Sequence, residues 1–271
     1  RDPSSAASDV YKRQALGEAL TNMSGVVIKG LNNVQVSANW MAASGENSDD
    51  FALRSGVEAL SKIAVDLKVS IPVGKDSLSM RTKWSENNLD YEVSSPLSGV
   101  ITAMAPVDDV TESVTPELNT SDDTSILLIK LNNKNRLAGS IFSEITETKY
   151  QHTPDIDDIE VFEKLFSSIQ NLLKSKKILA MHDISDGGLI TTLLEMCFTK
   201  KVGMRMDLDD SSGVNEFLFS EEIGFAIQIK KNNLDEVTNT LTNENIYVKN
   251  IAELIDGEKF SIFKNDSEIF S

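Results

Sequence analysis

One cysteine, Cys197, occurs in 271 residues, so no disulfide can form within the chain. It lies inside the apolar stretch 189–198, and a free thiol there fits a reducing, cytoplasmic setting. No activating side chain stands beside it in sequence, so it reads as core filling rather than a nucleophile. Histidine is almost as scarce, with two in the chain, and one Cys with two His supplies no zinc pattern. No apolar run is long enough to span a bilayer. No stretch has the basic, apolar, small-residue order of a secretory signal. Positive charge is short as well: 26 Lys and Arg face 42 Asp and Glu, a net of −16. That argues against bulk binding to nucleic acid or an anionic membrane, which needs clustered cations. It leaves a nucleotide open, because Mg2+ bridges carboxylates and phosphates. The length and 40% hydrophobic content suit one large or two ordinary globular domains.

Residues 1–14 (RDPSSAASDVYKRQ) are polar, lack a clear period and stop before a helical segment at 15–22. They resemble translated adapter sequence and are expected to be non-native, like a fusion scar. Residues 26–40 are rich in β-branched side chains, and helical spacing of apolar residues from Phe51 to Leu67 predicts a helix. A buried strand at 69–73 follows, which 81–84 could prolong, and Asn87-Asn88 marks a turn. Residues 115–124 (TPELNTSDDT) form the best linker candidate, separating a region at 15–114 from one at 125–271. Beyond it the pattern is α/β. Strands are expected at 125–131, 178–181, 204–208, 224–229 and 246–251, and helices within 155–177, at 189–200 and at 234–241.

Three places carry chemistry-bearing residues. In KVSIPVGKDSLSM (68–80) the apolar run stops at Gly74, and Lys75, Asp76, Ser77 and Ser79 follow. Read as a strand end, this places a cation, a carboxylate and hydroxyls where open α/β sheets bind ligands. It is not a P-loop, since Val69 and Asp76 occupy positions that motif reserves for Gly and Ser or Thr. Glu18 and Asn22 stand four apart on a predicted helix, so they share a face and could reach one hard cation. HDISDGG (182–188) joins a buried strand to a helix. Its glycines could let backbone N–H groups approach a phosphate. Asp183 and Asp186 could hold a metal, Asp186 could equally be an N-cap, and Ser185 can donate a hydrogen bond. His182, Asp183 and Ser185 are too close in sequence for a hydrolase triad. Ser220-Glu221-Glu222 is an acidic patch before a strand, either a solvated turn or part of a site.

Together these segments resemble the phosphoribosylformylglycinamidine synthase family in its long single-chain form. The resemblance is carried by GEALTN (17–22), LNNVQVSANWMAASGE (31–46), IPVGKDSLSM (71–80), SPLSGVITAMAPVDDV (95–110), HDISDGGLITTLLEMCF (182–198) and LFSEEIG (218–224), in the family's order. It implies an α/β (α+β) fold related to aminoimidazole ribonucleotide synthetase, with a β-rich N-terminal subdomain and an α/β C-terminal one. The chain would be most of the second half of the synthetase region, lacking the first half and the glutaminase domain. The resemblance implies Glu18, Asn22 and Asp183 as Mg2+ ligands and Ser185 as a nucleotide contact, with a further metal-binding Asp upstream that is absent here. Lys75, Asp76 and Ser77 are candidates for substrate or phosphate contacts, and no catalytic residue is singled out. The implied reaction converts formylglycinamide ribonucleotide, ATP and glutamine-derived ammonia to the amidine, ADP and phosphate, in de novo purine synthesis. Two other readings stay open: another ATP-using enzyme of the same superfamily, such as a small-molecule kinase or selenophosphate synthetase, and a half that binds nucleotide for stability alone.

Overall fold

The structure is a computed structural model that describes residues 5–45, 47–208 and 213–271. The chain divides into two compact units: residues up to Ala19 with Lys29–Pro106, and Leu20–Ile28 with Val107–Ser271.

The first unit contains α1 (Ser5–Asn22, whose last turn belongs to the second unit), β1 (Gln35–Met41), α2 (Asn47–Asp66), β2 (Ser70–Ser77), β3 (Arg81–Glu86), β4 (Leu89–Ser94) and β5 (Ser98–Met104). The helix expected over 15–22 begins at Ser5. Its added turns contain good helix formers, and Lys12 is buried with its Nζ 5.2 Å from the centre of the Trp40 ring. Burial lowers the pKa of Lys12. The sheet runs β2-β1-β5, parallel on the β2 side and antiparallel on the β5 side. Trp40 also packs against α2, where a Cβ at Gly56 would lie 3.3 Å from its ring. On the other face Val73, Val100 and Met104 are exposed. Residues 81–86 do not prolong β2. They pair with β4 as a separate ribbon closed by Asn87 and Asn88, both at positive φ, as asparagine tolerates in tight hairpin turns.

The second unit contains β6 (Thr124–Lys130), α3 (Ile141–Ile145), α4 (Ile159–Lys174), β7 (Ile178–Asp183), α5 (Gly188–Phe198), β8 (Gly203–Leu208), α6 (Val214–Phe219), β9 (Gly224–Lys230), α7 (Leu234–Asn243), β10 (Tyr247–Ile255), β11 (Phe260–Lys264) and β12 (Ser267–Phe270). Seven strands form one mixed sheet, β12-β11-β8-β10-β6-β9-β7, antiparallel except for the β11–β8 pair. Strands β6 and β9 are buried on both faces, the pattern of a sheet covered on each side. One face carries Ile126, Leu128, Ala180, Met204, Met206 and Ala226 into a core shared with Leu189, Leu193 and Met196 of α5. The alternate residues Leu127, Ile129, Phe225, Ile227 and Ile229 are equally buried. Helix α4 supplies a buried stripe of its own, including Phe162, Leu165, Phe166 and Ile169, and Asp158 caps its start through the N–H groups of Glu160 and Val161.

Two buried glutamines fasten irregular backbone to this unit. The Gln170 amide accepts from Ile28 N–H at 2.9 Å and donates to the carbonyls of Ser24 and Val26. Gln228, wholly buried, accepts from Asn119 N–H at 2.7 Å and donates to Asn119 O and Thr124 Oγ1. The polar stretch 115–124 is therefore held along the unit rather than strung free. Leu118 is fully buried and Thr115 O accepts from Met181 N–H. The polar side chains of the stretch are mostly exposed, while Asn119 N–H and O bond Gln228 and Asp123 O accepts from Lys231 N–H.

Candidate functional site

Strand β7 ends in the residues that drew attention in HDISDGG. His182 and Asp183 are its last two residues, both half-buried. The side chain of His182 is held at both nitrogens. Nδ1 lies 2.9 Å from Asp183 O and 3.3 Å from Asp183 Oδ1, and Nε2 lies 2.9 Å from Glu195 Oε2 of α5. The hydrogen bond to Asp183, against the opposing effect of burial, raises the His182 pKa. The Asp183 carbonyl also accepts from Thr192 Oγ1 at 3.2 Å. Asp183 and Ser185 thus stand two residues apart at the mouth of one strand-to-helix turn, on a base braced by α5.

The turn does not offer its glycine N–H groups outward. Gly187 N–H donates to Glu221 Oε1 at 3.0 Å, and Gly188 N–H donates to Ser185 O at 3.0 Å. A phosphate cradle of free backbone donors is not what these glycines build. Both have positive φ, and a Cβ on Gly188 would sit 2.6 Å from the Phe219 carbonyl carbon, so Gly188 lets two backbones meet. The α5 N-cap is Gly187, with no side-chain cap. Asp186 is exposed and does not fill the N-cap position considered for it.

The acidic patch at 220–222 is buried and fully engaged, not a solvated turn. Ser220 Oγ donates to Arg136 O. Glu221 Oε1 accepts from Gly187 N–H and from Ile141 N–H at 2.9 Å. Glu222 receives a two-pronged contact from Arg136, Nε to Oε1 at 2.5 Å and Nη2 to Oε2 at 2.7 Å, while the same guanidinium also reaches Asp157. Such bidentate pairs are the strong form of ion pair. Burial opposes the charge on Arg136, yet its bonds to Glu222 and Asp157 hold its pKa above the usual value. Lys130 lies close by. Its Nζ donates to Lys134 O and Asn135 Oδ1, and burial lowers its pKa to about 8. Arg136 and Asp157 escaped the sequence reading because they lie on irregular chain with no period to mark them. Cys197 is buried and burial pushes its thiol up to about 11, which keeps it protonated and unreactive at neutral pH.

Glu18 and Asn22 lie on the last turns of α1, the first half-buried and the second exposed. Gln14 Nε2 approaches Glu18 Oε1 at 3.5 Å. Lys75, Asp76 and Ser77 are not beyond a strand end but inside β2, paired with Asn39, Trp40 and Met41. Gly74 does not stop the strand. It pairs with Ala38 so closely that a Cβ would lie 2.9 Å from the Ala38 carbonyl oxygen. Alternation along β2 sends Lys75 and Ser77 to one face and Asp76 to the other. The strand expected to be buried is exposed at Pro72, Val73, Lys75 and Asp76, because β2 is a sheet edge.

Residues 4–106 match the FGAR-AT PurM_N-like domain, and residues 123–265, more than half of the chain, match the AIR synthase related protein C-terminal domain. The chain belongs to the AIR synthase related, PurM/PurL-like family. Solved structures share the fold. Thermotoga maritima PurL complexed with ATP superposes with a TM-score of 0.70 at 13% identity, over 99% of this chain and 41% of that one. The same protein complexed with FGAR gives 0.68 at 11% identity, over 98% and 43%. E. coli HypE, a hydrogenase maturation protein, gives 0.65 at 13% identity, over 94% and 78%. The chain therefore spans about two fifths of the PurL chains it resembles. Among the described residues no helix is long and apolar enough to cross a membrane.

Proposed function

We propose that this chain is the second synthetase half of a phosphoribosylformylglycinamidine synthase, the ATP-dependent amidoligase that makes formylglycinamidine ribonucleotide with glutamine-derived ammonia. The observation that carries this reading is the pairing, in one chain, of an FGAR-AT-type N-terminal domain with an AIR synthase C-terminal domain. That pairing favours the ligase over other ATP-using enzymes of the superfamily, although HypE is covered over a larger share of its length. In the whole enzyme, phosphorylation of the substrate's amide oxygen by ATP creates a leaving group that ammonia displaces. Positioning and charge placement supply most of the acceleration in such transfers. A first synthetase half and a glutaminase domain would be its partners, and the chain by itself would bind nucleotide without turnover.

Within this reading Asp183, Glu18 and Asn22 hold Mg2+, and Ser185 donates to the nucleotide. The donor chemistry fits, since carboxylate and amide oxygens are the hard ligands Mg2+ prefers. Bound there, the ion would neutralise phosphate charge. Lys75 and Ser77, which share one face of β2, would contact substrate or phosphate there, and Asp76 would do so from the opposite face. Calorimetric titration of Mg-ADP into the chain tests the site. The expected result is saturable binding that Asp183→Asn abolishes and Ser185→Ala weakens. A folded wild-type chain that binds no nucleotide, or an Asp183→Asn variant that binds equally well, would overturn the assignment.

A further inference from the structure

We infer that Glu221 is a positioning residue that sets the geometry of the 183–188 turn and hence the nucleotide affinity of Asp183 and Ser185. The inference rests on the function proposed above. Glu221 acts on the turn through backbone. One carboxylate oxygen, Oε1, accepts from Gly187 N–H at 3.0 Å and from Ile141 N–H at 2.9 Å, joining the turn to the first residue of α3. Both donors sit where the chain supplies no partner of its own. Ile141 opens a helix, and such N–H groups need an outside acceptor. Gly187 stands at φ +87 before α5. One oxygen shared by two amides at these distances is a directional anchor, and Glu221 is 9% exposed, so water does not compete freely for it.

The neighbours of Glu221 are clamped on either side, which makes its carboxylate a fixed point. Phe219 stacks on Phe142 of α3 with ring centroids 4.5 Å apart, and its backbone is what a Cβ on Gly188 would strike. Glu222 is locked to Arg136. Segment 219–222 therefore cannot follow the turn if the turn moves. Remove the Glu221 acceptor and Gly187 loses its tether, while the β7–β9 pairing behind Asp183 remains.

Three variants of the full chain test this: Glu221→Ala, Glu221→Asp and Glu221→Gln. Each is measured by amide hydrogen exchange and by Mg-ADP titration. In Glu221→Ala the Gly187 and Ile141 amides should exchange at least tenfold faster, with Ile227 in β9 unchanged, and Mg-ADP affinity should fall at least tenfold. Glu221→Gln keeps an acceptor oxygen at the same reach and should restore both readouts to within about threefold of wild type, a rescue that mere loss of buried charge would not give. Glu221→Asp is one methylene too short to serve both donors and should fall between; it serves if the alanine variant does not fold. Wild-type exchange at Gly187 in the alanine or aspartate variant overturns the inference. So does faster exchange with unchanged Mg-ADP affinity. If the wild-type chain binds no Mg-ADP, the functional reading fails, and the exchange pattern alone then decides whether Glu221 holds the turn.

Discussion

Strand β6 is buried at every residue from Thr124 to Lys130, while β2 is buried at none from Ser70 to Ser77. Both have apolar centres, ILLI in one and IPV in the other. The difference is position. β6 lies inside a seven-stranded sheet between β10 and β9, whereas β2 forms the edge of a three-stranded sheet. Pro72 shows that β2 is built for that edge. Proline cannot donate to a ladder, and the β1–β2 register slips opposite it, between Gln35 and Ser37. The second unit draws its stability from burial on both sheet faces and from charges locked inside. The first presents one sheet face with Val73, Val100 and Met104 exposed. Candidate site residues follow the same division. Asp183 and Ser185 stand on a braced turn, and Lys75 and Asp76 on an open strand.

The contrast is sharpest where charge is buried. Glu222→Ala leaves the Arg136 guanidinium without its two-pronged partner and should cost about 3–5 kcal/mol, read by urea unfolding. A loss under about 1 kcal/mol would mean that Asp157 alone satisfies Arg136. Next comes a matched pair of truncations. Ile227→Ala in β9 should cost about 2–5 kcal/mol, and Val100→Ala in β5 no more than about 0.5 kcal/mol. Similar losses at both sites would erase the distinction between the sheets.

Lys130 adds a pH signature to the second unit. Burial lowers its pKa to about 8 from 10.5, so the unfolded chain holds that proton more tightly. Stability should therefore rise as pH climbs from about 8 to 10.5, by roughly 3 kcal/mol at most. Lys130→Met should remove this rise, and a wild-type curve parallel to the variant's over that window would contradict the burial account. Gly188→Ala is expected to cost about 1–3 kcal/mol because φ is positive and Phe219 blocks a Cβ. Its Mg-ADP affinity should drop more than its stability does, since the strain falls on the turn rather than on the sheet. Equal binding by this variant would separate the turn from the site.

Much of the second unit was legible in the sequence. The apolar runs at 125–131, 178–181, 204–208 and 224–229 and the amphipathic stretch within 155–177 correspond to β6, β7, β8, β9 and α4, because a covered strand and a one-faced helix leave periodic traces. The short elements α3 and α6, the final hairpin β11–β12 and the ribbon β3–β4 left weaker ones. The motif at 182–188 could be found as a strand-to-helix turn, but its partners could not. Glu195 reaches it from the helix that follows, and Glu221 and Arg136 reach it or its supports from distant parts of the chain.

By itself the sequence determined which segments are apolar and how they repeat, that no disulfide can staple them, and which polar residues cluster near strand ends. These are local properties, written in neighbours within a turn or two. Only the tertiary structure decided that β2 is an exposed edge and β6 a central strand, that Gly74 serves close pairing rather than a stop, and that the N–H groups of Gly187 and Gly188 are already taken. It also decided that 220–222 is a buried brace. Each of those depends on which distant segment comes alongside, and hydrogen-bond partners and burial are properties of that meeting rather than of the residues alone.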